Sequence, residues 1–532
     1  MEGMDESAFN ILLSYMVATN LRVITVSQQF DEDKENKISK WYQVPYSVSD
    51  IPSAQIEEWQ NTPHIEQLFL PNENAYIVAQ PQLIAYQDKD NNPLTPPVSI
   101  CQQDGLCVWF KHDTSFNTPK GYIYISIDSP KVIENASNIA MTRLFIDLYS
   151  DAVVEEHYDA ELAGIHYHLY SHQGGMTLQL SGISTKQGQL LPLLLSSLLN
   201  CEFCQEKFEL FKQQLISHWR NAESSKSISQ LFATLSASMQ PKSPSSQTLI
   251  ASLEKISFDG FKDFISQIFD QVAIDALIHG NWPKSAAEQM IKSIQREFGP
   301  HLSQESIVKI PCVDIQEKQQ ITIPMLLPEH DHAAVLYYPM PDKDLRSVAL
   351  TMLTNQLLSP IFFQEMRTEK QYGYLVGVGF IPINRYPGIA FYIQSPHTDS
   401  STLTSAMNDF IGRAADYVKG LPEEHWQHLQ FGLASQLQEK DTNLRIKSQR
   451  YWAAICNKEA SFTQKHQLIE TIKSLSIADI ISFIQQHFHG AITDDRLSLL
   501  SYENNDQFEA MVKKLPTTDN SELLLKKCQR KY

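Results

Sequence analysis

The 532-residue chain has few cysteines, a deficit of positive charge and no long apolar run. Its seven cysteines are an odd number and sparse for this length, so no disulfide framework is implied. Cys201 and Cys204 ("CEFC") have no second pair at zinc-ribbon spacing and follow the leucine-rich "QLLPLLLSSLLN", so they read as plain thiols. Lysine and arginine total 43 against 61 acidic residues, a formal charge of −18, which argues against a nucleic-acid binder. The run "LLPLLLSSLL" is too short for a membrane span and carries Pro192. The opening stretch "MEGMDESAFNILLSYM" is acidic where a secretory signal would be basic. Gly-x-Ser-x-Gly, a phosphate loop and a dinucleotide fingerprint are all missing, which removes the chemistries they support.

What is present is enough for large cores. Hydrophobic residues make up 42% and charged residues 20%, so a folded chain of roughly two to four domains is expected. "ESAFNILLSYM" reads as one amphipathic helix and "LRVITVS" as one strand, before a polar stretch, "QQFDEDKENKISKW". One helix with one strand cannot bury its apolar face alone, so residues 1–28 read as the end of a preceding domain. Residues 29–100 read as a connector and an irregular segment, with "DKDNNPLTPPV" as the clearest breaker.

Beyond residue 100 the chain repeats itself. The strand "GYIYISIDSP" leads through helical sequence to "YDAELAGIHYHLY", then "GGMTLQLSG" and the helix "TKQGQLLPLLLSSLL". In the second copy "AAVLYYPMP" leads to "RTEKQYGYLVGV", then "PGIAFYIQS" and the helix "STLTSAMNDFIGRA". Gly164 and Gly373, like Gly175 and Gly388, recur at an offset of about 210 residues. The expectation is an α+β fold of two tandem homologous domains, residues 101–300 and 301–532, each an antiparallel-type sheet packed with helices. "LSQESIVKIPCVDIQEKQQ" reads as the link between them.

The stretch "QEMRTEKQYGY" follows apolar residues at Leu353, Leu357, Ile361 and Phe362, helical spacing for a buried face. Gly373 reads as a helix stop and "YLVGVGF" as a strand, which puts Arg367 and Tyr374 at a helix–strand junction. By residue type alone, Arg367 can equally pair with a surface carboxylate and Tyr374 can equally fill a strand.

"FFQEMRTEKQYGYLVGVGF" followed by "GIAFYIQS" resembles the C-terminal, non-zinc half of the insulinase/pitrilysin family of zinc metallopeptidases. "AELAGIHYHL", "WFKHDTSFNTPKGYIYISI" and "IHGNWPKSAAEQM" resemble family segments in the same order, from about Leu21 to about residue 500. The element with Arg367, Thr368, Gln371, Gly373 and Tyr374 at fixed spacing is the most specific part. The resemblance implies four homologous domains in two bowl-shaped halves around a chamber, with 101–300 and 301–532 as the third and fourth. It implies zinc in the N-terminal half only, on an inverted His-x-x-Glu-His helix. It also implies that Arg367 and Tyr374 reach across to the substrate backbone, so this chain binds peptides and closes the chamber for an N-terminal catalytic half. That half would be a separate subunit or part of the same polypeptide. Cysteine content suits either cytoplasm or periplasm, and the resemblance favours the bacterial periplasm, with export directed by the other half. One departure is Tyr372, where the family usually has leucine.

None of the 17 histidines sits in the inverted motif. "VVEEH" has Val153 and "LPEEH" has Leu421 in the first ligand position, and neither side chain binds zinc. The helices in the equivalent repeat position read "LFIDL" (Leu144–Leu148) and "TMLTN" (Thr351–Asn355), without histidine. His166 with His168, His330 with His332, and His425 with His428 have no visible third ligand. No self-sufficient catalytic centre and no metal site are expected in this chain, and neither a nucleic-acid nor a membrane partner. The alternative function is a stand-alone, non-catalytic pseudopeptidase serving as a peptide-binding or structural scaffold.

Overall fold

The computed structural model describes residues 5–27, 37–63, 65–66, 68–69, 72–85, 95–315, 320–327, 331–459, 461–488, 496–503, 505–512 and 529–530. The chain divides into two compact units, Met1–Gln80 and Pro81–Tyr532. In the first, α1 (Glu6–Tyr15) starts where the Asp5 carboxylate accepts from the backbone N–H groups of Ser7 and Ala8, at 3.0 and 3.2 Å. A two-residue ladder joins β1 (Lys37–Ile38) to β2 (Pro45–Tyr46), and α2 (Ser53–Gln60) follows. Residues 21–27, expected as a strand, pair with no described strand, and Val23, Ile24 and Val26 are exposed. An isolated extended segment has no ladder to join, so its pattern alone does not make it a strand. Most of the polar connector and of "DKDNNPLTPPV" lies outside the described residues.

The second unit holds two α+β domains. The first contains β3 (Val98–Gln103), β4 (Leu106–His112), β5 (Lys120–Asp128), α3 (Ala136–Leu162), β6 (Ile165–His172) and β7 (Gly175–Ile183). Then come α4 (Ser184–Asn200), α5 (Gln205–Ala222), α6 (Ser227–Met239), α7 (Ser246–Leu253), α8 (Phe258–Ile268), β8 (Ala273–Gly280) and α9 (Lys284–Phe298). After the short β9 (Cys312–Val313), the second contains β10 (Gln320–Leu326), β11 (His332–Pro339), α10 (Leu345–Phe363), β12 (Leu375–Phe380) and β13 (Gly388–Ser395). It continues with α11 (Ser400–Gly412), α12 (Ala414–Lys419), α13 (Glu423–Gln438), α14 (Leu444–Cys456), α15 (Gln464–Ser474), α16 (Ile477–His487), β14 (Arg496–Tyr502) and α17 (Asn505–Val512). The chain closes with β15 (Gln529–Arg530), paired antiparallel with β9.

The two sheets have the same topology. One runs β3-β4-β8-β5-β7-β6 and the other β10-β14-β11-β13-β12, so removing the edge strand β3 leaves equivalent orders. Each is antiparallel except for one parallel pair, β4 with β8 and β10 with β14. That pair joins the start of a domain to its end, a closure that local patterning cannot reveal. No described helix is long and apolar enough to cross a membrane.

Strand alternation then explains how the domains interlock. On β5, Ile123, Ile125 and Ile127 face the domain's own helices and are fully buried. Tyr124, on the opposite face, stacks on Trp452 of α14 at 5.3 Å and 14°. Leu277, Tyr451 and Ile455 join this cluster, so a helix of the second domain covers the first domain's sheet. The reverse also holds. Ile228, Leu231, Leu235 and Met239 of α6 cover Val335, Tyr337, Ala390 and Leu497 of the second sheet. The second domain's own helices cover the other face, around Leu336, Phe391, Phe362 and Phe410.

Candidate functional site

α10 ends in a distortion. Apolar residues at helical spacing bury Leu353, Leu357 and Phe362, with Ile361 packed at the edge of the same core. The Asp344 carboxylate caps the helix start by accepting from Ser347 N–H at 2.9 Å. At the C-terminal end, residues Gln364–Glu369 widen into a π-turn, and Lys370 N–H closes onto the Glu365 carbonyl. Gln371 takes the left-handed conformation at φ +53° and Tyr372 N–H returns to the Met366 carbonyl. The helix therefore stops at Gln371 and not, as the sequence suggested, at Gly373. Gly373 has a different task. A Cβ there would lie 2.0 Å from the Gln394 carbonyl oxygen, so only glycine lets the chain approach β13 this closely before β12 begins.

Both residues singled out in the sequence sit on this junction, and the structure brings them together. The Arg367 guanidinium lies 4.8 Å from the Phe363 ring centroid and 5.8 Å from that of Tyr374. Phe363 is the residue that sequence reasoning missed. Its signal was available: an aromatic four positions before an arginine on one helix face. Arg367 forms no ion pair with any described residue, so the surface-carboxylate explanation does not hold among them. Tyr374 is 83% exposed, which excludes strand filler. Tyr372 is partly buried and packs against the second domain's core.

The π-turn is held from its other side by Glu365, which accepts from Lys370 Nζ and Arg413 Nη2, each at 2.8 Å, and from Tyr417 Oη at 2.9 Å. Arg413 also donates to the Tyr417 hydroxyl. Partial burial disfavours the Glu365 carboxylate, but these hydrogen bonds outweigh it and hold its pKa down at about 2. Tyr417 is correspondingly pushed up to about 12 by burial and by donating to that carboxylate. Gln364, Glu365, Glu369 and Lys370 also border a cavity of about 750 Å³ floored by Leu357, Ile361 and Leu429. Neither Arg367 nor Tyr374 lines it.

Among the described residues, the positions singled out in the sequence do not assemble a zinc site. Leu144, Phe145 and Leu148 on α3 and Thr351, Leu353 and Thr354 on α10 are buried in the cores, so the equivalent helix turns pack and carry no histidine. Among the described residues no group of three or more metal-binding side chains converges. His166 is taken up by Glu161 at 2.5 Å, His168 stacks on Tyr170, His332 lies 3.7 Å from Glu503, and His425 and His428 are exposed on α13. His330 lies outside the described residues. The six described cysteines are free thiols.

Comparison with known proteins finds relatives along nearly the whole chain. The family model described as the middle or third domain of peptidase M16 matches residues 1–252, and that of PQQ synthase PqqF-like, C-terminal lobe domain 4, matches 353–452. Insulin-degrading enzyme of Bos taurus is 26% identical over 490 residues, covering 90% of this chain and 47% of that protein. The crystal structure of pitrilysin superposes with a TM-score of 0.81 at 20% identity, over 97% of this chain and 56% of that one. A peptidase M16 inactive domain from Pseudomonas fluorescens superposes with a TM-score of 0.59 at 12% identity, over 77% of this chain and 98% of that one. The chain is homologous to insulin-degrading enzyme and pitrilysin and matches the C-terminal half of those proteins. It spans about half the length of the curated relatives it matches.

Proposed function

We propose that this chain is the substrate-binding, chamber-closing half of a zinc-dependent endopeptidase, and that Arg367 and Tyr374 act on peptide bound to an N-terminal, zinc-bearing half. The observation that carries this reading is the exposed Tyr374, its ring beside an Arg367 guanidinium that no described carboxylate neutralises. Attack on a peptide carbonyl places negative charge on its oxygen, and prearranged donors stabilise that charge in proportion to how little they must reorganise. A guanidinium and a phenol are donors of the right kind. The aromatic faces of Phe363 and Tyr374 hold the guanidinium, and the Glu365 network holds the turn beneath it. In this reading residues 101–300 and 301–532 are the third and fourth of four domains, and residues 1–28 complete the second.

The test is cleavage of a quenched fluorescent peptide by this chain, with and without a zinc-loaded N-terminal half. Silence alone, activity on mixing and a large loss in Tyr374→Phe are expected. Zinc-dependent cleavage by the chain alone would sink the shared-site reading. A second reading, a non-catalytic peptide-binding scaffold, draws on the likeness to the inactive M16 domain and would be favoured by peptide binding without cleavage in every mixture.

A further inference from the structure

A small cavity of about 170 Å³ lies in the first domain, between the start of α3, the β6–β7 hairpin and the segment after α6. Arg143 and Lys242 line it, with Ser171, Gln173 and Ser243, and none of its described lining residues is acidic. In a chain with a formal charge of −18, two cations around a cavity without a carboxylate need an explanation.

The cations are not used up elsewhere. The Arg143 guanidinium lies 5.8 Å from the Trp219 ring centroid and forms no ion pair with any described residue. Burial makes its charged form costly and lowers its pKa, and no neighbouring charge offsets that. Lys242 Nζ spends one donor on the Ile133 carbonyl at 3.0 Å and has two more. His172, also in the wall, accepts the Gly174 N–H at Nδ1, 3.0 Å, so as a neutral ring it carries its proton on Nε2, directed at Ser126 Oγ, 2.9 Å away. Two carboxylates are nearby, Asp128 at 3.9 Å from His172 Nε2 and Asp147 one turn along α3, and neither lines the cavity. Burial raises the pKa of both, with His172 opposing at Asp128 and His218 opposing at Asp147.

We propose that this cavity binds a small oxyanion of the phosphate or sulfate class, held by Arg143 and Lys242. The size suits one such ion, and a guanidinium with an ammonium is the pairing that recognises it. The site also lies against the contact between the two domains. Gln173 in its wall and Gln240, two residues before Lys242, both donate to Asn384 Oδ1 of the second domain, at 2.9 and 3.0 Å. An ion bridging α3, the hairpin and the segment after α6 therefore tightens the elements that grip the second domain.

The experiment is titration of the full chain with inorganic phosphate and, separately, sulfate, followed by calorimetry and by the thermal midpoint, against sodium chloride at matched ionic strength. Saturable binding with a rising midpoint is expected, because a ligand of the folded state stabilises by mass action. Arg143→Gln and Lys242→Gln should each weaken binding about tenfold or more, since each removes one charge-assisted contact. Ser243→Asp, which puts a carboxylate into the wall without touching the Trp219 stack, should abolish it and covers the case where Arg143→Gln fails to fold. Binding no stronger than the chloride control, or affinity unchanged in Lys242→Gln and Ser243→Asp, would overturn the proposal.

Discussion

The two domains share one scaffold and differ at one corner. The second domain's "RTEKQYGY" (Arg367 to Tyr374) occupies the helix–strand junction that "YDAELAGI" (Tyr158 to Ile165) occupies in the first. Both helices distort at the same place: α3 breaks helical geometry at His157, and α10 widens into the π-turn around Met366, with both side chains buried. After that the two diverge. In the first domain Gly164 takes the left-handed conformation at φ +78° and Ile165 turns fully into the core. In the second, Gln371 makes that turn earlier, Gly373 stays tight against β13, and Tyr374 is left in water beside Arg367. The lesson is that topology supplies the corner, and the residues on it decide whether it packs or presents donors.

The largest expected effect tests what the two domains have in common, the helix each lends to the other. Trp452→Ala should cost about 4 kcal/mol and Leu235→Ala about 3 kcal/mol in denaturant unfolding, because each empties a packed site between sheets. If either proves nearly neutral, the helix exchange contributes little to stability. The next pair sharpens the contrast at the corner. Tyr374→Phe should lower kcat about 10²–10³-fold in the reconstituted peptidase, the usual loss for one oxyanion donor, while Tyr158→Phe leaves it unchanged. Equal effects would mean that the two corners do the same job.

Glycine substitutions separate the two corners by mechanism. Gly373→Ala drives a methyl into the Gln394 carbonyl and should cost about 3 kcal/mol by thermal unfolding. Gly164→Ala meets no atom within 4 Å and pays only for its left-handed backbone, about 1 kcal/mol. The smallest effect is on acid stability. The Glu365 pKa falls from its ordinary 4.5 to about 2 on folding, so its contribution is complete above pH 4.5 and is lost as pH falls from there toward 2. Glu365→Gln should flatten that part of the stability profile, and an unchanged slope would show that the network does not act through this carboxylate.

Much was legible in the chain itself. The alternation in "GYIYISID" marked β5 and its buried isoleucines, the offset between the glycines marked the second copy, and the fixed spacing from Arg367 to Tyr374 marked the corner. Residues 21–27 show the limit of such reading, because a strand-like pattern becomes a strand only where a neighbour completes its ladder.

The sequence by itself determined which residues are apolar at which period, and so the elements, the tandem repeat and the absence of an inverted zinc motif. Only the tertiary structure decided that α14 covers the first sheet and α6 the second, that β4 and β10 pair in parallel with β8 and β14, and that Gln371 rather than Gly373 turns the chain. The physical reason is separation along the chain. Local periodicity records which face a residue presents, but a contact such as Tyr124 on Trp452 is chosen by the packing of whole elements hundreds of residues apart.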